Sequence, residues 1–276
     1  MIKILVIGQP KSGTSMLAAK IKAGLDFHYG VKSQLLFEPK LRDGVLEIKK
    51  FNVTKVLYSP NPNHVFNYDR VQELGNLFDK KIIICRDPRD ILVSNTLYRW
   101  FHKHKPKPEH FQKALDLVQK KEAKPSSVNL YEISSINIHR GMPKSLETYA
   151  STIQKEYEQF ADTVSQIETS DWFPVKYEDV VSNHTKYLNQ YLEFDISEDI
   201  AVVEKTAFAR TARTKSYGNW RNWFTQDDIA FFKPIFEKSL QKLGYDSSDW
   251  GINSEQKIES KTSSEYMIKL FASTDD

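Results

Sequence analysis

Short apolar runs alternate with helical patterns through the first 105 residues. The run "IKILVI" (2–7) reads as a buried strand, and a glycine-bearing loop then opens "TSMLAAKIKAGL" (14–25), whose apolar residues recur at helical spacing. "KVLYS" (55–59) reads as a second core strand and "KIIICR" (81–86) as a third. The third runs into "DPRDILVSNTLYRWF", where Asp87 or Asp90 is placed to cap a helix. "WFPVKYEDV" (172–180) reads as a later strand ending in a polar turn. This alternation predicts a parallel sheet covered by helices, and right-handed crossovers then bring the C-terminal strand ends, with any ligand, to one edge.

The stretch from 105 to 170 has a different pattern. "HKHKPKPEH" is basic and broken by proline, so a loop is expected. "FQKALDLVQKKEA" predicts a helix, "KPSSVNLYEISSINIHRGMP" is expected to be mostly irregular, and "KSLETYASTIQKEYEQFADTVSQIE" predicts a long amphipathic helix. Residues 1–250 are expected to form a single domain, with 105–170 a helical insertion on the acceptor side. Residues 251–276 are expected to be a loosely held tail with a short helix at "YMIKLF".

Composition narrows the classes. Apolar residues make up 40% and charged residues 27% of the 276, as in an ordinary globular protein. The net charge is only +3, so nothing global points to a nucleic-acid partner. A single cysteine, Cys85, excludes an intramolecular disulfide and a cysteine metal cluster, and its place in "KIIIC" suits a buried strand. No apolar run is long enough to span or insert stably in a membrane, and a cytoplasmic protein is expected. His102, His104 and His110 lie in or beside the basic loop, and no cysteine or regular acidic spacing joins them into a metal site. The same loop, 99–107, is expected to be solvated.

The candidate chemistry lies in "GQPKSGTS" (8–15). Gly8 and Gly13 have the spacing of an ATP-type phosphate loop, yet the lysine is Lys11, inside the loop, rather than directly after the second glycine. A strand–loop–helix of this kind cradles an anion with backbone N–H groups and the helix N-terminus. Gly13 allows close backbone approach, the Thr14 and Ser15 hydroxyls add donors, and a lysine at the front of the loop stands nearer the bond being broken.

"PKSGTS" (10–15) resembles the 5′-phosphosulfate loop of sulfotransferases that use 3′-phosphoadenosine-5′-phosphosulfate (PAPS). Further segments resemble that family in the same order. "CRDPRDILVSN" is similar to its 3′-phosphate motif, which implies Arg86 and Ser94 as the clamp. "VKYEDV" is similar to the strand end whose tyrosine reaches the adenine, here Tyr177, and "KTAF" places Thr206 nearby. "RTKSYGNWRNWFT" (213–225) resembles the segment that closes over the nucleotide, which implies Arg213 and Trp220. The resemblance implies a three-layer α/β fold, a P-loop NTPase-like parallel sheet flanked by helices with helical elaborations. It also implies that PAPS donates a sulfuryl group to a hydroxyl or amine, that adenosine 3′,5′-bisphosphate leaves, and that no metal is required. Pro10, Lys11, Ser12, Gly13, Thr14 and Ser15 would then bind the phosphosulfate, with Lys11 meeting charge on the leaving oxygen.

The match departs from the family at several positions. Met16 stands where many members have a tryptophan, Thr214 and Lys215 replace a lysine and a glycine, and Asn219 replaces an aspartate. Lys215 could supply charge where the family uses a glycine N–H, and Trp220 is as compatible with core packing as with ligand contact. For the general base two residues stand open. His64 lies 22 residues before Arg86, as in some branches, although an ungapped strand comparison puts Pro60 at the family's histidine. Glu38 in "LLFEPK" fits branches that use a glutamate after the first helix, and it is the favoured of the two because preceding apolar residues favour a raised pKa. The acceptor is expected to be a hydroxyl-bearing carbohydrate, lipid or small molecule. A magnesium-dependent P-loop kinase and a non-catalytic nucleotide-binding protein are the rival readings.

Overall fold

Strand β1 (Ile2–Gly8) lies at the centre of a five-stranded sheet, whose order is β2 (Gln34–Phe37), β3 (Phe51–Leu57), β1, β4 (Lys80–Cys85), β7 (Trp172–Lys176). The structure is a computed structural model and describes residues 1–39, 49–58, 75–101, 106–167, 171–197 and 216–273. After β1 come α1 (Thr14–Tyr29), β2 (Gln34–Phe37), β3 (Phe51–Leu57), β4 (Lys80–Cys85), α2 (Pro88–Tyr98) and α3 (Pro108–Ala123). A 3-10 turn (Pro125–Ser127) leads to α4 (Leu130–Ser134), the short strands β5 (Ile136–Asn137) and β6 (Met142–Pro143), and α5 (Leu146–Ile167). The chain continues through β7 (Trp172–Lys176), α6 (Tyr177–Val181), α7 (Lys186–Leu192), α8 (Trp220–Trp223), α9 (Gln226–Lys242) and α10 (Ser264–Ala272).

Two compact units divide these elements. One is Met1–Arg86 with Gln159–Ala212, the other Asp87–Glu158 with Arg213–Asp276. The first holds the sheet, in which every strand pair is parallel. Ile4 and Val6 of β1 pack with Leu17, Ile21 and Leu25 of α1 and with Leu188 and Leu192 of α7. Leu5 and Ile7, which point to the opposite face, are buried as well. Burial on both faces explains why β1 and β4 read as near-continuous apolar runs rather than as alternating ones.

The second unit has its own core. Leu97 and Trp100, Phe111 and Val118, Ile153 and Tyr157, Phe232 and Phe236, and Met267 and Leu270 belong to one apolar cluster. Asp228 ties this unit together. It completes a capping box with Thr225 at the start of α9, and its carboxylate also accepts the N–H groups of Leu130 and Tyr131 at 2.8 and 3.0 Å. Lys121, fully buried, donates to the carbonyls of Pro125 and Val128 at 2.8 and 2.5 Å, which pins the turn that follows α3.

Several elements differ from the sequence expectation. The strand at "WFPVKYEDV" stops at Lys176, and Tyr177 begins a short helix with Glu178 and Asp179 in its first turn, where acids favour a helix start. The expected irregular stretch after α3 contains α4, opened by an Asn129–Glu132 capping box, and the β5–β6 pair. His110 belongs to α3, which Pro108 initiates. It is buried, its Nδ1 is 3.4 Å from the Ile138 carbonyl, and its ring packs where a side chain on Gly141 would stand. The short helix expected at "YMIKLF" is α10. Tyr266, Met267 and Leu270 of α10 are buried, and Glu122 accepts from the Ser264 N–H and hydroxyl at 2.7 and 2.9 Å. His102 and His104 lie outside the described residues.

Candidate functional site

The sheet order reverses beside β1. From β1 the chain crosses to β2 and β3 on one side and then returns to β4 on the other, and in open parallel sheets ligands bind at such a point, off the C-terminal strand ends. The loop 9–13 leaves β1 there. Its first glycine, Gly8, is required because a Cβ would come within 2.5 Å of the Ile84 carbonyl on β4. Ser12 folds the loop back on itself, donating its N–H and its hydroxyl to the Gln9 carbonyl at 3.1 and 2.7 Å. Lys11 adopts a left-handed backbone with φ 69°, and Gly13, the residue capping α1, does so with φ 96°. No side chain caps the N-terminus of α1 and its first turn holds no acid, so the positive helix end keeps its affinity for an anion.

Arg86 and Tyr177 meet this loop. The Arg86 Nη1 donates to the Lys11 carbonyl at 3.1 Å, and its guanidinium lies 4.2 Å from the Tyr177 ring centroid. Tyr177 in turn packs on Gly13, where an added Cβ would be 2.4 Å from the tyrosine Cδ2. Lys11, Gly13, Arg86 and Tyr177, drawn from three separate motifs, therefore converge at the ends of β1, β4 and β7. Around them Ser12 and Thr14 are buried, Ser15 is half-buried and Pro10 is exposed.

Glu38 follows β2 with φ 47°, a rare conformation for a residue with a side chain. Two contacts to one residue hold it there: its N–H donates to the Lys55 carbonyl at 2.8 Å, and its carboxylate pairs with the Lys55 Nζ. The Glu38 side chain is 45% exposed and that of Lys55 only 3%. Burial pushes the Lys55 ammonium below the usual lysine range, and Glu38 pulls it back up. The surroundings of Glu38 are thus an ion pair at the sheet edge rather than an apolar enclosure. The signal for Lys55 was a lone charge inside the otherwise buried strand "FNVTKVL".

The remaining candidates fall in the second unit or outside the described residues. Ser94 is buried on α2. Trp220 is 1% exposed, with the Arg89 guanidinium 4.2 Å from its ring on α2 and Arg221 at 4.5 Å. His64, Thr206, Arg213 and Lys215 lie outside the described residues. Among the described residues no group of three or more His, Cys, Asp or Glu is arranged to hold a metal, and no helix is long and apolar enough to cross a membrane.

The loop after β1 runs into an uncapped helix start at the reversal point of a parallel α/β sheet. A family model described as the sulfotransferase domain matches residues 2–195, and the chain belongs to that family. A search of curated proteins returned no significant match. Among solved structures the chain is similar to a mouse sulfotransferase complexed with PAP, at 15% identity and TM-score 0.48, covering 87% of this chain and 85% of that one. It is also similar to a retinol dehydratase in complex with androsterone and inactive cofactor PAP, at 14% identity and TM-score 0.46, covering 87% and 80%.

Proposed function

We propose that the protein transfers a sulfuryl group from PAPS to an acceptor hydroxyl or amine and releases adenosine 3′,5′-bisphosphate. The observation that supports this most strongly is the convergence of Lys11, Gly13, Arg86 and Tyr177 at the reversal point of a sulfotransferase-family sheet. In the reaction the acceptor oxygen or nitrogen forms a bond to sulfur while the bond from sulfur to the 5′-phosphate oxygen breaks. The electron pair passes to that oxygen, where Lys11 meets the charge. The acceptor proton goes to Glu38 or His64.

The residues present suit such a donor. An uncapped helix end with the Thr14 and Ser15 hydroxyls beside it matches a terminal anion, and a planar arginine fork matches a phosphate. Arg86, Ser94, Arg213 and Lys215 serve the 3′-phosphate, and Tyr177 and Thr206 the adenine. Trp220 acts from within the core, packed against the Arg89 and Arg221 guanidinium groups. Lys55 holds the Glu38 carboxylate in place.

The test is transfer from radiolabelled PAPS, in EDTA, to a panel of phenols, alcohols, sugars and amines. Labelled product is expected with at least one class, and Lys11→Ala is expected to cut the rate by about a hundredfold or more. A fully active Lys11→Ala variant would contradict the assignment, and transfer only with added magnesium would contradict the metal-free chemistry.

A further inference from the structure

Arg99 follows the last turn of α2 and is half-buried. Its Nη1 donates to the Ser134 carbonyl at the end of α4, and among the described residues no carboxylate pairs with it. Burial pushes its guanidinium below the usual arginine range, against the pull of Tyr149 and Glu156. An arginine held out of water without a carboxylate is costly, so its open donors indicate a use. Two hydroxyls stand beside it. Ser134 is 2% exposed, and its Oγ is buried with no hydrogen-bond partner. Burial pushes the Tyr149 phenol up to about 12, and Ser134 and Arg99 pull it down, so side chains of α2, α4 and α5 share one neighbourhood. Lys144 and Glu156 face it too, the Glu156 carboxyl being raised by burial and lowered by Lys144 and Arg99. Asp228 also acts on Tyr149 and is offset by Lys121. The two cations Arg99 and Lys144 against the one remaining carboxylate, Glu156, leave the cluster net positive. The Tyr149 ring leads away from these polar groups: it lies 6.4 Å from Phe231 and nearly parallel to it, and Phe231 meets Tyr131 at 5.1 Å. Phe231 and Tyr131 are half-buried, so an aromatic ledge borders the cluster. All of these residues belong to the second unit.

We propose that Arg99, Ser134 and Tyr149 form a binding site for an organic carboxylate, its anionic head on these three side chains and its apolar body on the ledge of Tyr149 and Phe231. The planar fork of an arginine takes both oxygens of one carboxylate. The two hydroxyls can each donate to the same head, so every group of the cluster offers what an oxyanion needs. A buried hydroxyl without a partner costs the ligand-free protein stability and is repaid only when an acceptor arrives. An arginine with a purely structural task would need only the Ser134 carbonyl, and that contact occupies one of its several N–H donors. The apolar ledge favours a carboxylate on a larger body over a bare small anion. No residue of the loop after β1 enters the site, and the proposal stands apart from the donor-nucleotide reading.

The test is NMR of the arginine Nε–H groups in the isotope-labelled full chain, with the Arg99 signal assigned through its backbone correlations. The protein is titrated with sodium phenylacetate, sodium acetate, sodium sulfate and sodium chloride at matched ionic strength. Phenylacetate is expected to shift the Arg99 signal saturably with a midpoint on the order of 1 mM, and acetate to bind at least about fivefold more weakly. Ser134→Ala and Tyr149→Phe are each expected to weaken phenylacetate by about tenfold. Each removes a single hydroxyl and leaves the packing in place, so both are read in folded protein, as melting curves check. Lys11→Ala is expected to leave the phenylacetate midpoint unchanged. An Arg99 shift that follows ionic strength alike for all four salts, acetate or sulfate matching phenylacetate, or undiminished affinity in both hydroxyl variants would each overturn the proposal. Loss of the shift in Lys11→Ala would overturn it as well, by assigning the effect to the loop after β1.

Discussion

Lys11 combines charge with backbone strain. A left-handed conformation costs a residue with a side chain about 1 kcal/mol, and glycine avoids that cost. Lys11→Gly is therefore expected to preserve the melting temperature or raise it by up to roughly 3 °C while abolishing most transfer activity. Thermal melting and the labelled-PAPS assay check the two halves, and a large drop in melting temperature would show that the lysine side chain is structural. Arg86 is the second test at this level. It joins the Lys11 carbonyl to the Tyr177 ring, so Arg86→Ala is expected to weaken adenosine 3′,5′-bisphosphate by about tenfold or more. Unchanged affinity would remove it from the clamp. Glu38 and His64 are separated by the same logic: the base is the one whose substitution by Gln or Ala lowers turnover with nucleotide affinity intact.

Among the elements, α3 and the turn after it carry the clearest pH dependence. Burial pushes the Lys121 ammonium down to about 8, against the opposing pull of Asp228 and Glu132. Between about pH 8 and pH 10 the unfolded chain keeps a proton on this lysine that the folded chain has released, so stability rises with pH across that window. The full contribution is on the order of 3 kcal/mol. Above about pH 10 it is opposed by Tyr149, whose burial holds its pKa up at about 12. Lys121→Met is expected to flatten the rise, seen as equal urea midpoints at about pH 7 and about pH 9.5, and to lower stability generally by leaving the Pro125 and Val128 carbonyls unpaired. An unchanged alkaline rise in the variant would assign it to another group. The same elements show what the chain's pattern conveys and what it conceals. Strands β1 and β4 were legible as local apolar runs, β3 only over 55–57, and helices α1, α3 and α5 by their helical period. Strand β2 was not, since it spans only Gln34–Phe37 and all its residues are half-buried. The Lys55–Glu38 pair and the bonds that the Gly218 and Trp220 N–H groups donate to the Asp90 carboxylate join residues 17, 128 and 130 positions apart and leave no period to read.

For the molecule as a whole, the candidate site was legible where it is built from motifs that follow a strand, and the structure brings the loop after β1, Arg86 after β4 and Tyr177 after β7 together. It was obscure in the contacts that hold those residues. Membership in the sulfotransferase family settles the class of chemistry; the donor nucleotide is the central claim to test. The most direct measurement is calorimetric titration of the wild-type protein, in EDTA, with adenosine 3′,5′-bisphosphate, adenosine 5′-monophosphate and ATP. Charge-assisted bonds to the 3′-phosphate predict that the bisphosphate binds at least about tenfold more tightly than the monophosphate, without metal. Equal affinity for the two, or tight binding of ATP appearing only when magnesium is restored, would contradict the account.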